Sequence, residues 1–202
     1  MSVEFKSEYL KKYVSRLLNK DIVEENDLLQ VNRLTINYNK LLADEKDKAM
    51  EDLKLFNNLK DCAVMFFHII QKDISILSSI ETLESITFDF CTFDCALSGN
   101  YNNIFLNACS KLNLKEMSAD NLEILKIIEA KDSIDLKDIS KYQNLKELHL
   151  LNCNILNCES VLELKSLEKL DLSGSNADNK LINALREKIE VIYQDKYHPT
   201  GL

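Results

Sequence analysis

The sequence NLKELHLLNCNI (residues 144–155) places apolar residues at a spacing that recurs along the chain. The spacing is L-x-x-L-x-L-x-x-N/C-x-L, and its positions 1, 4, 6, 9 and 11 are filled by Leu145, Leu148, Leu150, Cys153 and Ile155. The sequence SLEKLDLSGSNA (residues 166–177) repeats it 22 residues later. A recurrence of this length predicts a solenoid, in which each turn buries its apolar positions only against the neighbouring turns.

Weaker copies of the spacing precede and follow these two. Position 1 of the copies falls at residues 31, 59, 83, 122, 145, 167 and 189, so that turns are irregular over residues 28–121 and regular over residues 122–195. A start at Cys109 would leave too little chain for a full parallel crossover before Leu122, so we take Leu122 as the true start. For the long gap before it, we expect a loop centred on Ser98-Gly99-Asn100 and then a convex helix over residues 102–111.

Each copy specifies which side chains face inward. Alternate residues of a strand point to opposite faces, so positions 4 and 6 face the interior while positions 5 and 7 lie on an open concave sheet. Position 9 turns the chain away from the sheet, and a small or polar side chain there can satisfy open backbone groups. The residues that suit this role are Asn39, Cys91, Cys153 and Ser175.

By these motifs the chain resembles leucine-rich-repeat proteins of the 22-residue kind. It is similar to the bacterial internalins and to the phosphatase-regulating repeat proteins of eukaryotes, and TLESITFDFCTF (residues 82–93) supports the likeness. The resemblance implies an α/β fold: a curved parallel sheet of about six or seven short strands, with helices and irregular turns on the convex side. It also implies protein recognition. The chain departs from internalins in showing no secretion signal and no cell-wall anchor.

The ends of the chain differ from the repeats. Apolar residues at helical spacing over residues 3–19 predict an amphipathic helix, which we interpret as a capping helix (residues 1–20) over an otherwise exposed first turn. The solenoid is expected to span residues 21–195, with further convex helices within residues 43–57 and 70–82. Residues 196–202 form a C-terminal tail in this division.

Composition narrows the function classes. The chain has 202 residues, is 46% hydrophobic and carries a formal net charge of -8, which disfavours nucleic acid as a partner. Charged residues interrupt its N-terminus, and no apolar run approaches the roughly 20 residues that span a bilayer. We therefore expect a cytoplasmic protein that does not bind membranes.

Six cysteines and three histidines leave little footing for catalysis. The inward template positions of Cys62, Cys91 and Cys153 favour buried, reduced thiols over disulfides or a zinc site. No histidine lies in a motif with a nucleophile and an orienting carboxylate. We expect no cofactor, no metal and no enzymatic activity, with a cysteine- or metal-dependent enzyme using His149 as the alternative.

Apolar side chains at outward positions point to a function. The template places Met65, Phe66, Phe90, Ile128 and Leu151 on the open face, where a soluble protein seldom leaves such a patch unused. Alternatively, the convex helices, the 94–121 segment or a second copy cover them, or the register is off by one. The predicted partner-binding residues are Tyr38, Met65, Phe66, Phe90, Lys126, Ile128, His149, Leu151 and Asp171.

The predicted function is thus a non-enzymatic module that binds a protein or peptide on its concave face. We expect a monomer or a weak homo-oligomer. A structural subunit that associates with itself through the apolar row is the other alternative.

Overall fold

The computed structural model of the protein describes residues 1–42 and 44–194. The described residues form these strands: β1 (Arg33–Asn37), β2 (Asp61–Met65), β3 (His68–Ile69), β4 (Ser85–Asp89), β5 (Thr92–Phe93), β6 (Asn103–Asn107), β7 (Ile124–Ile128), β8 (Ile134–Asp135), β9 (Glu147–Leu151), β10 (Ile155–Leu156), β11 (Lys169–Asp171) and β12 (Glu190–Ile192). They also form these α-helices: α1 (Glu8–Leu18), α2 (Glu25–Leu28), α3 (Glu45–Asp52), α4 (Gln71–Ser78) and α5 (Asn179–Arg186).

Eight of these strands build one parallel sheet in the order β1-β2-β4-β6-β7-β9-β11-β12. Each strand pairs with the one contributed by the next turn of the chain, which confirms the leucine-rich-repeat solenoid. Shorter two-stranded pairs, β3 with β5 and β8 with β10, form where the chain leaves the sheet. The 3-10 turns Ile139–Lys141 and Cys158–Glu163 lie in the connections of later turns.

The inward positions behave as the spacing predicts. Leu148 and Leu150 are both 0% exposed, and Leu148 lies in register between Leu125 of β7 and Leu170 of β11. Because every turn places apolar side chains at the same two depths, the interior is a continuous column that runs the length of the solenoid.

One turn was assigned wrongly from the sequence. The expected convex helix over residues 102–111 is replaced by β6, which pairs with β4 on one side and β7 on the other. This turn begins at Tyr101, whose buried ring fills position 1, and Ile104 and Leu106 fill positions 4 and 6. The preceding turn, which begins at Leu83, is short because β5 and an extended connection stand where the earlier turns have the helices α3 and α4.

Gly99 allows the chain to enter this turn. Its φ is +157°, and a Cβ placed on it would lie 2.3 Å from a carbon of the Tyr101 ring. Only glycine leaves room for the tyrosine side chain at this point.

The last turn is shifted by one residue from the predicted register. Leu170 pairs with Val191, whereas the template assigned Ile192 to that depth. Val191 packs against the core, so Ile192 lies on the outward face beside Asp171. The predicted tail, residues 196–202, lies outside the described residues.

The N-terminal helix α1 is shorter than the predicted 3–19. It buries Leu10 and Val14 and packs against α3. Two buried carboxylates bind Ser7, the residue that precedes α1. Asp52 accepts a hydrogen bond from the backbone N–H of Ser7 at 2.8 Å, and Glu45 accepts one from its hydroxyl at 2.6 Å. These contacts fix the helix to the back of the first turns, a position compatible with the predicted cap.

Convex helices occur where the first turns are long. Helix α3 lies within the predicted 43–57 segment, whose residue 43 is outside the described residues, and α4 lies within the predicted 70–82. Across residues 1–42 and 44–194, no helix combines the length and apolar character needed to cross a membrane.

Candidate protein-binding surface

The concave face consists of three parallel rows of side chains from positions 3, 5 and 7 of each turn. The position 5 row follows the strand register across the sheet: Thr35, Ala63, Thr87, Phe105, Lys126, His149, Asp171 and Ile192. The strand register aligns the position 7 row in the same way: Asn37, Met65, Asp89, Asn107, Ile128 and Leu151. Neighbouring strands lie about 4.8 Å apart, so adjacent members of a row can contact one partner side chain.

Most of the predicted residues reach this face. Met65, Lys126, Ile128, His149 and Asp171 are all half-buried members of these rows, within reach of solvent. They therefore line one surface, as predicted from their template positions.

The prediction that Leu151 is an exposed contact residue is wrong. Leu151 occupies a position 7 site but is 1% exposed, so it is not an open contact residue. Leu151 lies beside Ile128 in the register. The backbone N–H of the next residue, Asn152, donates to the backbone carbonyl of Ser173 at 3.0 Å, and Ser173 is also buried.

An aromatic pair lies on the rim of the sheet at position 8. The rings of Phe66 and Phe90 stack at 5.1 Å between centroids with planes 3° apart, and Phe90 is 49% exposed. Both residues have left-handed backbones, with φ of 61° and 53°. Their N–H groups continue the ladder beyond the strands, donating to the carbonyls of Asp89 at 2.8 Å and Asn107 at 2.9 Å.

The left-handed backbone of Phe66 and Phe90 is unfavourable for residues of this size. The same conformation recurs at position 8 of later turns, in Ala108, Glu129 and Asn152. It costs about 1–2 kcal/mol for a residue with a Cβ, and bulky side chains adopt it rarely. Because it recurs at the same position with five different residues, the conformation is set by the corner where the chain leaves the sheet. Tyr38 lies outside this column: it is in the 3-10 turn Tyr38–Lys40 and packs edge-on against Phe67.

Two apolar residues of the concave face were missed from the sequence. Phe105 lies at the centre of the position 5 row between Thr87 and Lys126. It was missed because the turn that begins at Tyr101 was interpreted as a helix. Ile124 is a position 3 residue, and position 3 was not counted as part of the face, although it alternates with positions 5 and 7.

The histidine of the concave face is held between two carboxylates. His149 Nε2 lies 3.0 Å from Glu147 Oε2, and its Nδ1 lies 3.9 Å from Asp171 Oδ2. Asp171 also accepts hydrogen bonds from the Ser173 hydroxyl at 2.7 Å and the Ser173 backbone N–H at 3.0 Å. These two carboxylates fix the orientation of the imidazole ring.

The position 9 side chains link neighbouring turns of the solenoid. Cys91 and Cys153 donate to carbonyls of the preceding turn, at 3.3 Å to Val64 and 3.6 Å to Ile127, and Ser175 does the same at 2.7 Å to Leu150. Asn39 does not take this role, because its turn is a 3-10 helix at the exposed end. All six cysteines are free, and burial raises the pKa of the Cys62 thiol to about 12. Among residues 1–42 and 44–194, no group of three or more His, Cys, Asp or Glu side chains could hold a metal ion.

Together these features define a leucine-rich-repeat solenoid with an open concave sheet and an aromatic rim. No family model matches the sequence, and no curated protein matches it. Among solved structures, an internalin C2 from Listeria monocytogenes is 17% identical with a TM-score of 0.63, the alignment covering 94% of each chain. An internalin from the same organism, internalin F, is 18% identical with a TM-score of 0.56, covering 94% of this chain and 64% of that one. The likeness shows that the chain has the internalin fold.

Proposed function

We propose that the protein is a non-enzymatic interaction module that binds a protein or peptide on its concave face. The observation that carries this proposal is the set of apolar side chains left accessible there and on the rim: Met65, Phe66, Phe90, Phe105, Ile124 and Ile128. Aromatic and aliphatic anchors surrounded by polar groups are typical of the centre of protein interfaces.

Charge favours protein over nucleic acid. The concave strands carry five acidic residues and three basic ones, and the whole chain has a formal net charge of -8. A phosphate backbone requires a basic track, and these strands do not provide one. A protein surface that combines apolar and charged groups complements the concave strands better than a phosphate backbone does.

The internalin fold also supports the proposal, because a curved parallel sheet presents a long, rigid surface to one partner. Rigid strands hold contact residues in place, so little conformational entropy is lost on binding. Self-association through the same row remains the competing interpretation, and the experiment below distinguishes it.

The test is site-specific photo-crosslinking in lysate of the organism that encodes the chain. A photoreactive phenylalanine analogue replaces Phe90 or Phe105, and in a matched control it replaces Leu162, which is 48% exposed in a connection outside the main sheet, against 49% for Phe90. We expect one discrete crosslinked protein from the two concave and rim positions and none from Leu162. Equal crosslinking from Leu162 would contradict the proposal, and a product of twice the chain mass would support self-association.

A further inference from the structure

One of the three cations on the described concave strands has no counter-charge. Their cations are Arg33, Lys126 and Lys169, of which Arg33 pairs with Asp61 at 3.5 Å and Lys169 pairs with Glu190 at 3.6 Å. Lys126 makes no salt bridge or side-chain hydrogen bond with any described residue. Its ammonium group thus lacks a partner although it lies near the middle of the sheet.

The surroundings of Lys126 are largely apolar. Ile124 and Ile128 lie two residues before and after it on the same face of β7, and Phe105 is its register partner in β6. On the other side its register partner is His149. A partner that covers this patch removes water from the ammonium group, and a buried charge without a counter-charge is strongly unfavourable.

Three acidic side chains of the concave face have other hydrogen-bond partners. Glu147 contacts His149 at 3.0 Å, Asp171 accepts from Ser173 at 2.7 Å, and Asp89 accepts from Asn107 at 2.6 Å. None of them pairs with Lys126. The net charge of -8 repels an acidic partner, but this repulsion is screened beyond about 8 Å at physiological salt. The groups in direct contact with the partner therefore determine which side chains bind at this patch.

We propose that Lys126 is the specificity-determining residue of the concave face, and that the partner is a protein segment that places a carboxylate side chain, flanked by apolar side chains, against it. This inference rests on the proposed function. The carboxylate supplies the missing counter-charge, and its apolar neighbours contact Phe105, Ile124 and Ile128.

The test uses a phage-displayed library of random peptides selected on the full chain. We expect the enriched peptides to share an Asp or Glu next to apolar residues. Lys126→Met should weaken their binding by about tenfold or more, as expected when one member of an enclosed charge pair is removed. Lys165→Met is the matched control, since this exposed lysine lies in a connection outside the main sheet, and it should change binding less than about threefold.

Two further measurements complete the design. Replacing the shared Glu of a selected peptide by Gln should weaken binding to the wild-type chain to a similar extent, a result that does not depend on the folding of any variant. Selection on Lys126→Glu should enrich peptides with Lys or Arg in place of the acid.

The outcomes separate the two proposals. Peptides whose binding is lost with Phe105→Ser, but which lack a carboxylate or ignore Lys126→Met, would overturn this inference and leave the proposed function standing. If no enriched peptide depends on Phe105 or Lys126, both are wrong. Sedimentation that shows dimers lost with Lys126→Glu would assign the site to a second copy and overturn the inference as well.

Discussion

Leu148→Ala tests the inward register at the centre of the regular turns. Leu148 is 0% exposed and lies between Leu125 and Leu170, which are also 0% exposed and are fixed in hydrogen-bonded strands. The change removes three carbon atoms, whose transfer from water is worth about 2.4 kcal/mol at about 0.8 kcal/mol each. The fixed strands cannot close the resulting cavity, so we expect a total loss of about 3–4 kcal/mol in the free energy of unfolding.

The loss is measured by urea unfolding followed by far-ultraviolet circular dichroism. Glu147→Ala is the matched control in the same strand, because Glu147 points to the concave face, and it should cost less than about 1 kcal/mol. A loss below about 1 kcal/mol for Leu148→Ala, or equal losses for both variants, would refute the reasoning from register.

Three more predictions follow from the structure. Leu151→Ser should lower the free energy of unfolding by about 2–4 kcal/mol in the same urea assay, because Leu151 is 1% exposed. An unchanged urea midpoint would mean that the Leu151 side chain lies on the open face after all. Gly99→Ala should lower the melting temperature, costing about 1–3 kcal/mol as the new methyl group meets the Tyr101 ring, and calorimetry showing an unchanged transition would contradict that clash. Burial raises the pKa of Asp52, and the N–H groups of Ser7 and Lys6 oppose this rise. Asp52 therefore contributes most to stability below the ordinary carboxyl pKa, and this contribution is lost as the pH rises through the pKa of the folded state. Asp52→Asn should remove that part of the pH dependence from unfolding curves recorded across the acidic range, and identical profiles for the two proteins would contradict it.

The regular half of the solenoid could be predicted from the sequence because its apolar residues meet the template at every inward position. Leu148, Leu150, Leu170 and Leu172 stand at one fixed spacing, and all are 0% exposed. The turn at Tyr101 could not be found in the same way. Its position 1 is aromatic rather than aliphatic, and residues 102–111 were assigned to a convex helix, so no turn was placed between Leu83 and Leu122.

The candidate site was predicted in part. Alternation along the strands places Met65, Lys126 and His149 on the concave face, and the sequence shows that alternation directly. It does not show that Leu151, although at an outward template position, is buried. Nor does it show the left-handed backbone at Phe90, because this conformation is set by the corner of the solenoid and is unfavourable for phenylalanine itself.

The opposite facing of adjacent residues in β6 and β7 can be measured directly by methyl NMR of isoleucine-labelled protein with a soluble paramagnetic agent. Ile104 and Ile127 are 0% exposed, whereas Ile124 and Ile128 are accessible on the concave face. We predict strong relaxation enhancement at Ile124 and Ile128 and little at Ile104 and Ile127. Strong enhancement at Ile104, or protection of Ile124 and Ile128 equal to that of Ile127, would contradict the concave surface described above.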